Sequence, residues 1–208
     1  MKTLTFATIV LLGTLGTCAQ SISTTTQEAK QKARKLLFET PHRVKMTVEM
    51  RETPDSSWEL YSSQTREVAG RDRWHLVQHT GSKLESIGIE GRIYQKMPDG
   101  NWRVGNAGDG YTGATMRPIS TPVVASNTIA DPKDGSKGVE TTSRTTSQVI
   151  RTGEVVDLGS KKKEWFDDAG RLIRAETEHF NFERKKFQRV TEVYEYDPNI
   201  RIEPPILD

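Results

Sequence analysis

The sequence predicts a mainly β (α+β) protein: a single large curled antiparallel sheet, or unclosed β-barrel, with an N-terminal helix and a flexible lid segment. Three observations predict it. A helical stripe of apolar residues occurs only near the start of the mature chain. Apolar and polar residues then alternate with period two through most of the remainder. The strand-like runs are joined by short Gly, Pro, Asn and Asp turns, which require antiparallel neighbours. Only 34% of the 208 residues are hydrophobic, which argues against a layered α/β enzyme built on a buried parallel sheet. A formal net charge of +2 gives no electrostatic case for nucleic acid.

The first nineteen residues read as an export segment. Lys2 precedes an apolar run, Leu4 to Leu15, that is too short to cross a bilayer and is interrupted by Gly13. Two processing routes fit. Thr17-Cys18-Ala19 supplies small residues for cleavage after Ala19, which removes the single cysteine. Alternatively, Leu15-Gly16-Thr17-Cys18 resembles a bacterial lipoprotein box, in which Cys18 is lipidated and anchors the chain. Both place the protein in a bacterial periplasm or cell envelope.

Residues 20–208 read as one domain. The spacing of Ala29, Ala33, Leu36 and Leu37 predicts a helix over 25–39, opened by a Thr25/Glu28 capping box and closed before Pro41. Val44, Met46, Val48 and Met50 alternate with charged residues in the first strand. Strands follow over 58–68, 73–80, 84–89, 92–97 and 102–104, separated by turns such as Glu90-Gly91 and Pro98-Asp99-Gly100-Asn101. Residues 105–138 hold six glycines and three prolines and keep no period, and they read as a lid or flap. Strands resume over 139–150, 154–166, 171–180 and 185–196, with Asp167-Asp168-Ala169-Gly170 as a hairpin turn, and a short extended segment follows at 200–203.

The order of these parts resembles the periplasmic lipoprotein-carrier superfamily, the LolA-like and LolB-like proteins and related envelope lipid-binding lipoproteins. The resemblance is carried by EAKQKARKLLFETPHRVKMTVEM, REVAGRDRWHLV, SIGIEGRIYQKMPDGNW and VYEYDPNIRIEPP, taken in order. It implies an unclosed barrel around a hydrophobic cavity, lidded by helices, that binds the acyl chains of lipoproteins or lipids and has no catalytic residues. The carriers also have an Arg-Pro pair before the Trp strand, whose arginine ties down the lid. Here that stretch is Glu67-Val68-Ala69-Gly70, so the resemblance supports an acyl-binding cavity more than a delivery cycle.

The function expected is therefore an exported non-enzymatic protein that holds a lipid or acyl chain in a concave hydrophobic cavity. Its lining is expected to be Val44, Met46, Val48, Met50, Trp58, Leu60, Trp74, Leu76, Ile87 and Ile89, and its lid Leu36, Leu37, Tyr111, Met116, Ile119 and Val123. Methionines suit such a lining because they adapt to irregular chains. The alternative is an envelope protein–protein interaction module with a packed core and no ligand. Partners expected are a lipid or an acylated protein, an envelope protein, and peripheral contact of basic turns with a membrane; the chain is expected to be a monomer. No cofactor or metal is expected: His75 and His79 lie ~13 Å apart on a strand, and the DPKDG run at 131–135 lacks the glutamate a calcium loop needs. Gly108 to Gly113 matches GxGxxG, but Pro118 truncates the helix that must follow.

Overall fold

The computed structural model describes residues 24–80, 84–106, 116–131, 133–149, 152–181 and 185–207. It contains α1 (Thr24–Glu39) and twelve strands: β1 (His42–Arg51), β2 (Glu59–Val68), β3 (Arg73–Gln78), β4 (Glu85–Ile89), β5 (Arg92–Lys96), β6 (Trp102–Asn106), β7 (Met116–Pro118), β8 (Val123–Ala130), β9 (Lys137–Val149), β10 (Val155–Phe166), β11 (Leu172–Asn181) and β12 (Lys186–Tyr196). All belong to one antiparallel sheet in the order β6-β5-β4-β3-β2-β1-β12-β11-β10-β9-β7, with β8 also on β9. The sheet does not close. It is two meanders joined by the β1–β12 ladder, which runs from His42↔Tyr196 to Arg51↔Phe187.

Cross-strand partners share a face, so the ladders sort every strand residue to one side or the other. On the helix face lie His42, Val44, Met46, Val48 and Met50 of β1. Beside them lie Tyr196, Tyr194, Glu192, Val190 and Gln188 of β12, and Val68, Arg66, Gln64 and Ser62 of β2. The same registers carry this face on to Trp74, Leu76 and Gln78 of β3. The helix seats Ala33 on this side against Leu172 and Ala175, with Leu37, Phe166 and Tyr194 around them. Lys30 reaches across to donate to the Thr141 hydroxyl at 2.6 Å and meets Glu164 at 3.5 Å. The Tyr196 hydroxyl donates to the Leu172 carbonyl at 3.0 Å and ties β12 to the start of β11.

The outer face is polar and cross-linked. Lys45, Glu195, Arg43, Glu67, His75, Glu85 and Lys96 form a continuous row of polar contacts across the strands, the closest ion pairs being Arg43–Glu67 and Lys45–Glu195, both at 2.6 Å. Lys96 donates to Glu85 and holds its carboxyl below the usual carboxylate range. Lys45 does the same for Glu195. Each such pair contributes at most about 1 kcal/mol in water, but the row gives an exposed sheet face a saturated polar surface.

Two small cores result. One lies under α1; the other lies on the outer face, where Ile87, Ile89 and Tyr94 are covered by Ile200 and Ile202 of the C-terminal segment. Among the described residues, no large side chain is less than 2% exposed. The sheet therefore carries much of its apolar surface half-buried rather than packed away.

Two glycines have defined tasks. Glu90 and Gly91 both take positive φ, 51° and 82°, as the tight β4–β5 hairpin requires. On the helix face, the Trp74 indole lies against Gly88, where an added Cβ would clash with the ring.

The structure corrects the lid. Residues 116–130 add strands to the sheet instead of closing over it, because β7 and β8 both pair with β9. Ile119 and Val123 are 50% and 72% exposed, and Val123 pairs with Arg144 on the outer-face side. Pro118 and Pro122 explain the break between β7 and β8, since proline cannot donate to a ladder. The Ile119 N–H still reaches the Thr146 carbonyl at 2.9 Å, so the two short strands act as one interrupted edge. Met116 is placed in β7. Tyr111, the GxGxxG run and the export segment with Cys18 lie outside the described residues.

Gly88→Ala should force Trp74 off the sheet and destabilise the protein by roughly 1–3 kcal/mol in urea unfolding followed by tryptophan fluorescence. Combining it with Trp74→Leu should recover part of that loss, because the clash partner is gone.

Candidate functional site

The ten residues expected to line a cavity divide between the two faces. Val44, Met46, Val48, Met50, Trp74 and Leu76 share the helix face. Ile87 and Ile89 do not: Ile87 pairs with His75 and Tyr94, which places both isoleucines on the outer face, buried under Ile200 and Ile202. Leu60 and Trp58 are also displaced to that side. A β-bulge at Tyr61 shifts the register so that Leu60 faces Glu49. Trp58 lies between the guanidinium groups of Arg51 and Arg189, 4.2 and 4.6 Å from its ring centre. Strand alternation groups residues by face but does not say which face; the bulge and the covering C-terminal segment are visible only with the pairing in hand.

What remains on the helix face is an apolar stripe along β1, widened by Val190 on β12 and by Leu76 and Trp74 on β3. Val44 and Met50 at its ends are buried, while Met46, Val48, Val190, Leu76 and Trp74 are half-buried. The helix seats Ala33 on Leu172 and Ala175 beyond the seam, and its C-terminal Phe38 reaches Arg71 of the β2–β3 turn, so it crosses the near end of the stripe while Met46 and Val48 stay half-buried. Met46 instead meets the Gln64 amide, which donates to its sulfur at 3.1 Å. The flanks are mixed: Ser62, Gln64, Gln188 and Thr177 are neutral and polar, while Arg66 stands opposite Val44 and Glu192 opposite Met46. Toward β8, hydroxyls pair with each other, Ser143 with Ser160 at 2.7 Å and Ser126 with Thr141 at 3.2 Å. At the far end of β1, Met50, Glu59, Leu60, Tyr61 and Lys186 line a groove of about 340 Å³.

The near end is closed by an aromatic group. His42 is buried between Tyr194 and Tyr196, at 6.1 and 5.7 Å between ring centres, with Nδ1 2.8 Å from the Thr40 carbonyl oxygen. Burial disfavours the imidazolium; the Thr40 carbonyl opposes this and the Arg66 charge adds to it, and the net shift is downward from 6.5. Burial pushes the Tyr196 phenol up to about 12 and the Tyr194 phenol higher still. His179, on the same face, is also shifted downward by burial.

The other histidines have ordinary partners. His79 contacts the Thr65 hydroxyl at 2.8 Å, and His75 sits between Glu67 and Glu85. Asp131 of the DPKDG turn accepts the Lys133 N–H and meets Arg174 at 3.3 Å. Among the described residues, no three His, Cys, Asp or Glu side chains come together as a metal site would require.

No family model matches the sequence, and no curated protein matches it. Solved structures do. The chain is similar to a LolA superfamily protein from Nitrosomonas europaea, at 12% identity and a TM-score of 0.37, over 86% of this chain and 94% of that one. It is similar to a putative outer membrane lipoprotein-sorting protein domain from Vibrio parahaemolyticus, at 10% identity and a TM-score of 0.32, over 84% and 92% of the two chains. It is also similar to a chain of the Pseudomonas aeruginosa MucA/MucB complex, at 10% identity and a TM-score of 0.26, over 82% and 93%.

His42 and His179 take up protons less readily in the folded chain than in the unfolded one. Their contribution to stability is therefore present above about pH 6.5 and is lost as the pH falls. The thermal midpoint should drop between pH 7 and pH 5, and His42→Gln should flatten that dependence, read by circular dichroism melts across the range.

Proposed function

We propose that this is an exported, non-enzymatic binding protein that holds a lipid or acyl chain against the helix face of its sheet. The chain would lie along Val44, Met46, Val48 and Met50, with Val190, Leu76 and Trp74 at its sides. One observation carries the reading: a stripe of large apolar side chains shares one face of the sheet, and its middle stays half-buried beside a helix that crosses only its near end. Covering it with an acyl chain would gain about 0.8 kcal/mol per buried methylene, less the cost of ordering the ligand. The stripe's neighbours Ser62, Gln64, Gln188 and Thr177 are uncharged, and the charges beside it are Glu192 opposite Met46 and Arg66 opposite Val44. Met46 and Met50 adjust to a chain of any bend.

The N-terminal Lys2 and the Leu4–Leu15 run support export to the periplasm or envelope, with either release after Ala19 or anchoring through Cys18. Palmitate labelling of cells expressing the wild type and Cys18→Ser distinguishes the two.

Organic extraction of the purified protein followed by mass spectrometry should recover lipid, and the extracted protein should take up a fluorescent fatty acid. Val48→Glu, which puts a carboxylate into the stripe, should weaken uptake at least about tenfold. Thr47→Glu, one residue away on the outer face, should leave uptake unchanged. Absence of both extracted lipid and probe uptake in the wild type would defeat the reading.

A further inference from the structure

The apolar stripe is bordered by one cation, Arg66, that has no ion-pair partner among the described residues. Arg66 projects on the helix face, between Val44 of β1 and Leu76 of β3 in the same cross-strand row. The row continues to Tyr194 on one side and Ser86 on the other, so its members beside Arg66 are neutral. Among the described residues, no carboxylate lies within ion-pair distance of Arg66. Glu192 stands two strands away, beside Tyr194. By contrast, Lys30, Lys162 and Lys186 on the same side of the sheet each meet a glutamate, as do Arg43, Lys45, Arg73 and Lys96 on the outer face, where Arg51, Arg144 and Lys163 resemble Arg66 in having none.

Arg66 is not loose for want of an anion. Its guanidinium stands 5.4 Å from the Trp74 ring centre, and that ring occupies space which a Cβ at position 88 would fill. The stack orients the guanidinium while leaving its N–H edges free to donate. Arg66 is exposed, so an incoming group can reach it. The arrangement thus supplies an alkyl track with an oriented, uncompensated fork of donors at its margin. A carboxylate matches that fork with two parallel hydrogen bonds.

Resting on the acyl-binding reading above, we propose that Arg66, held on Trp74, selects acyl ligands whose head group is anionic, receiving a fatty-acid carboxylate while the alkyl chain runs along the β1 stripe. Arg66 then determines specificity and contributes little to holding the chain itself.

The experiment compares a fluorescent C18 polyene fatty acid with its methyl ester, which share the chain and differ in charge. The wild type should bind the acid about ten- to a hundredfold more tightly than the ester. Arg66→Gln should abolish this preference by weakening the acid and leaving the ester unchanged, and Arg66→Lys should keep part of it. Equal affinity for acid and ester in the wild type would overturn this inference and leave the acyl-binding reading standing. So would an Arg66→Gln protein that keeps the preference, or one that loses acid and ester alike. Binding of neither probe by the wild type would overturn the acyl-binding reading, and this inference with it.

Discussion

The pairing of β1 with β12 is the constraint on which the rest of the structure depends. Strands separated by about 140 residues of chain are zipped over ten consecutive pairs, His42↔Tyr196 to Arg51↔Phe187. Without that seam there would be two independent meanders, each with an unfilled edge and a face too small to bury anything. With it, Val44, Met46 and Val48 of the first strand lie beside Tyr194, Glu192 and Val190 of the last, and α1 has a surface to rest on. A slip of one residue in this register would turn Lys45 and Glu49 toward the helix and Met46 toward the ion pairs of the outer face.

The two faces solve different problems. The outer face has no helix over its centre, and it satisfies itself laterally: carboxylates and cations alternate from strand to strand, and Trp58 lies between two arginines. The helix face has fewer charges and more hydroxyls, amides and half-buried aliphatics. One short helix cannot cover a sheet of twelve strands, and the second core under Ile200 and Ile202 is spent on the opposite side. Among the described residues, the two small covers, one on each face, leave much of the sheet's width open, and the apolar stripe lies half-buried within it.

Much of this was legible in the sequence. The helix over 24–39, the strand alternation of β1 and the hairpin at Glu90-Gly91 follow from local rules, because periodicity and turn chemistry act over a few residues. What failed was whatever depends on distant pairing. Ile87 and Ile89 look identical in pattern to Val44 and Met46, but a strand's own alternation does not reveal which side the rest of the chain will cover. Trp58 and Leu60 were misassigned because the bulge at Tyr61 changes the count. Residues 116–130 hid their strands because β7 is three residues long, two prolines interrupt the run, and an edge strand rich in Ser, Thr and Asn shows little hydrophobic period.

The interrupted edge formed by β7 and β8 has a bearing on how separate molecules meet. A sheet that does not close exposes backbone donors and acceptors at both margins, and such margins invite stacking of one copy onto another. At this margin the Ile119 N–H points inward to Thr146, so the neighbouring residue, Pro118, stands where an outward donor would otherwise be, and Pro122 removes a second N–H four residues on. A copy approaching along this side finds a ladder broken between Pro118 and Pro122, with the eight residues of β8 as its one unbroken run. The border of an open and partly greasy sheet is thereby shortened by residues whose ring nitrogen has nothing to donate.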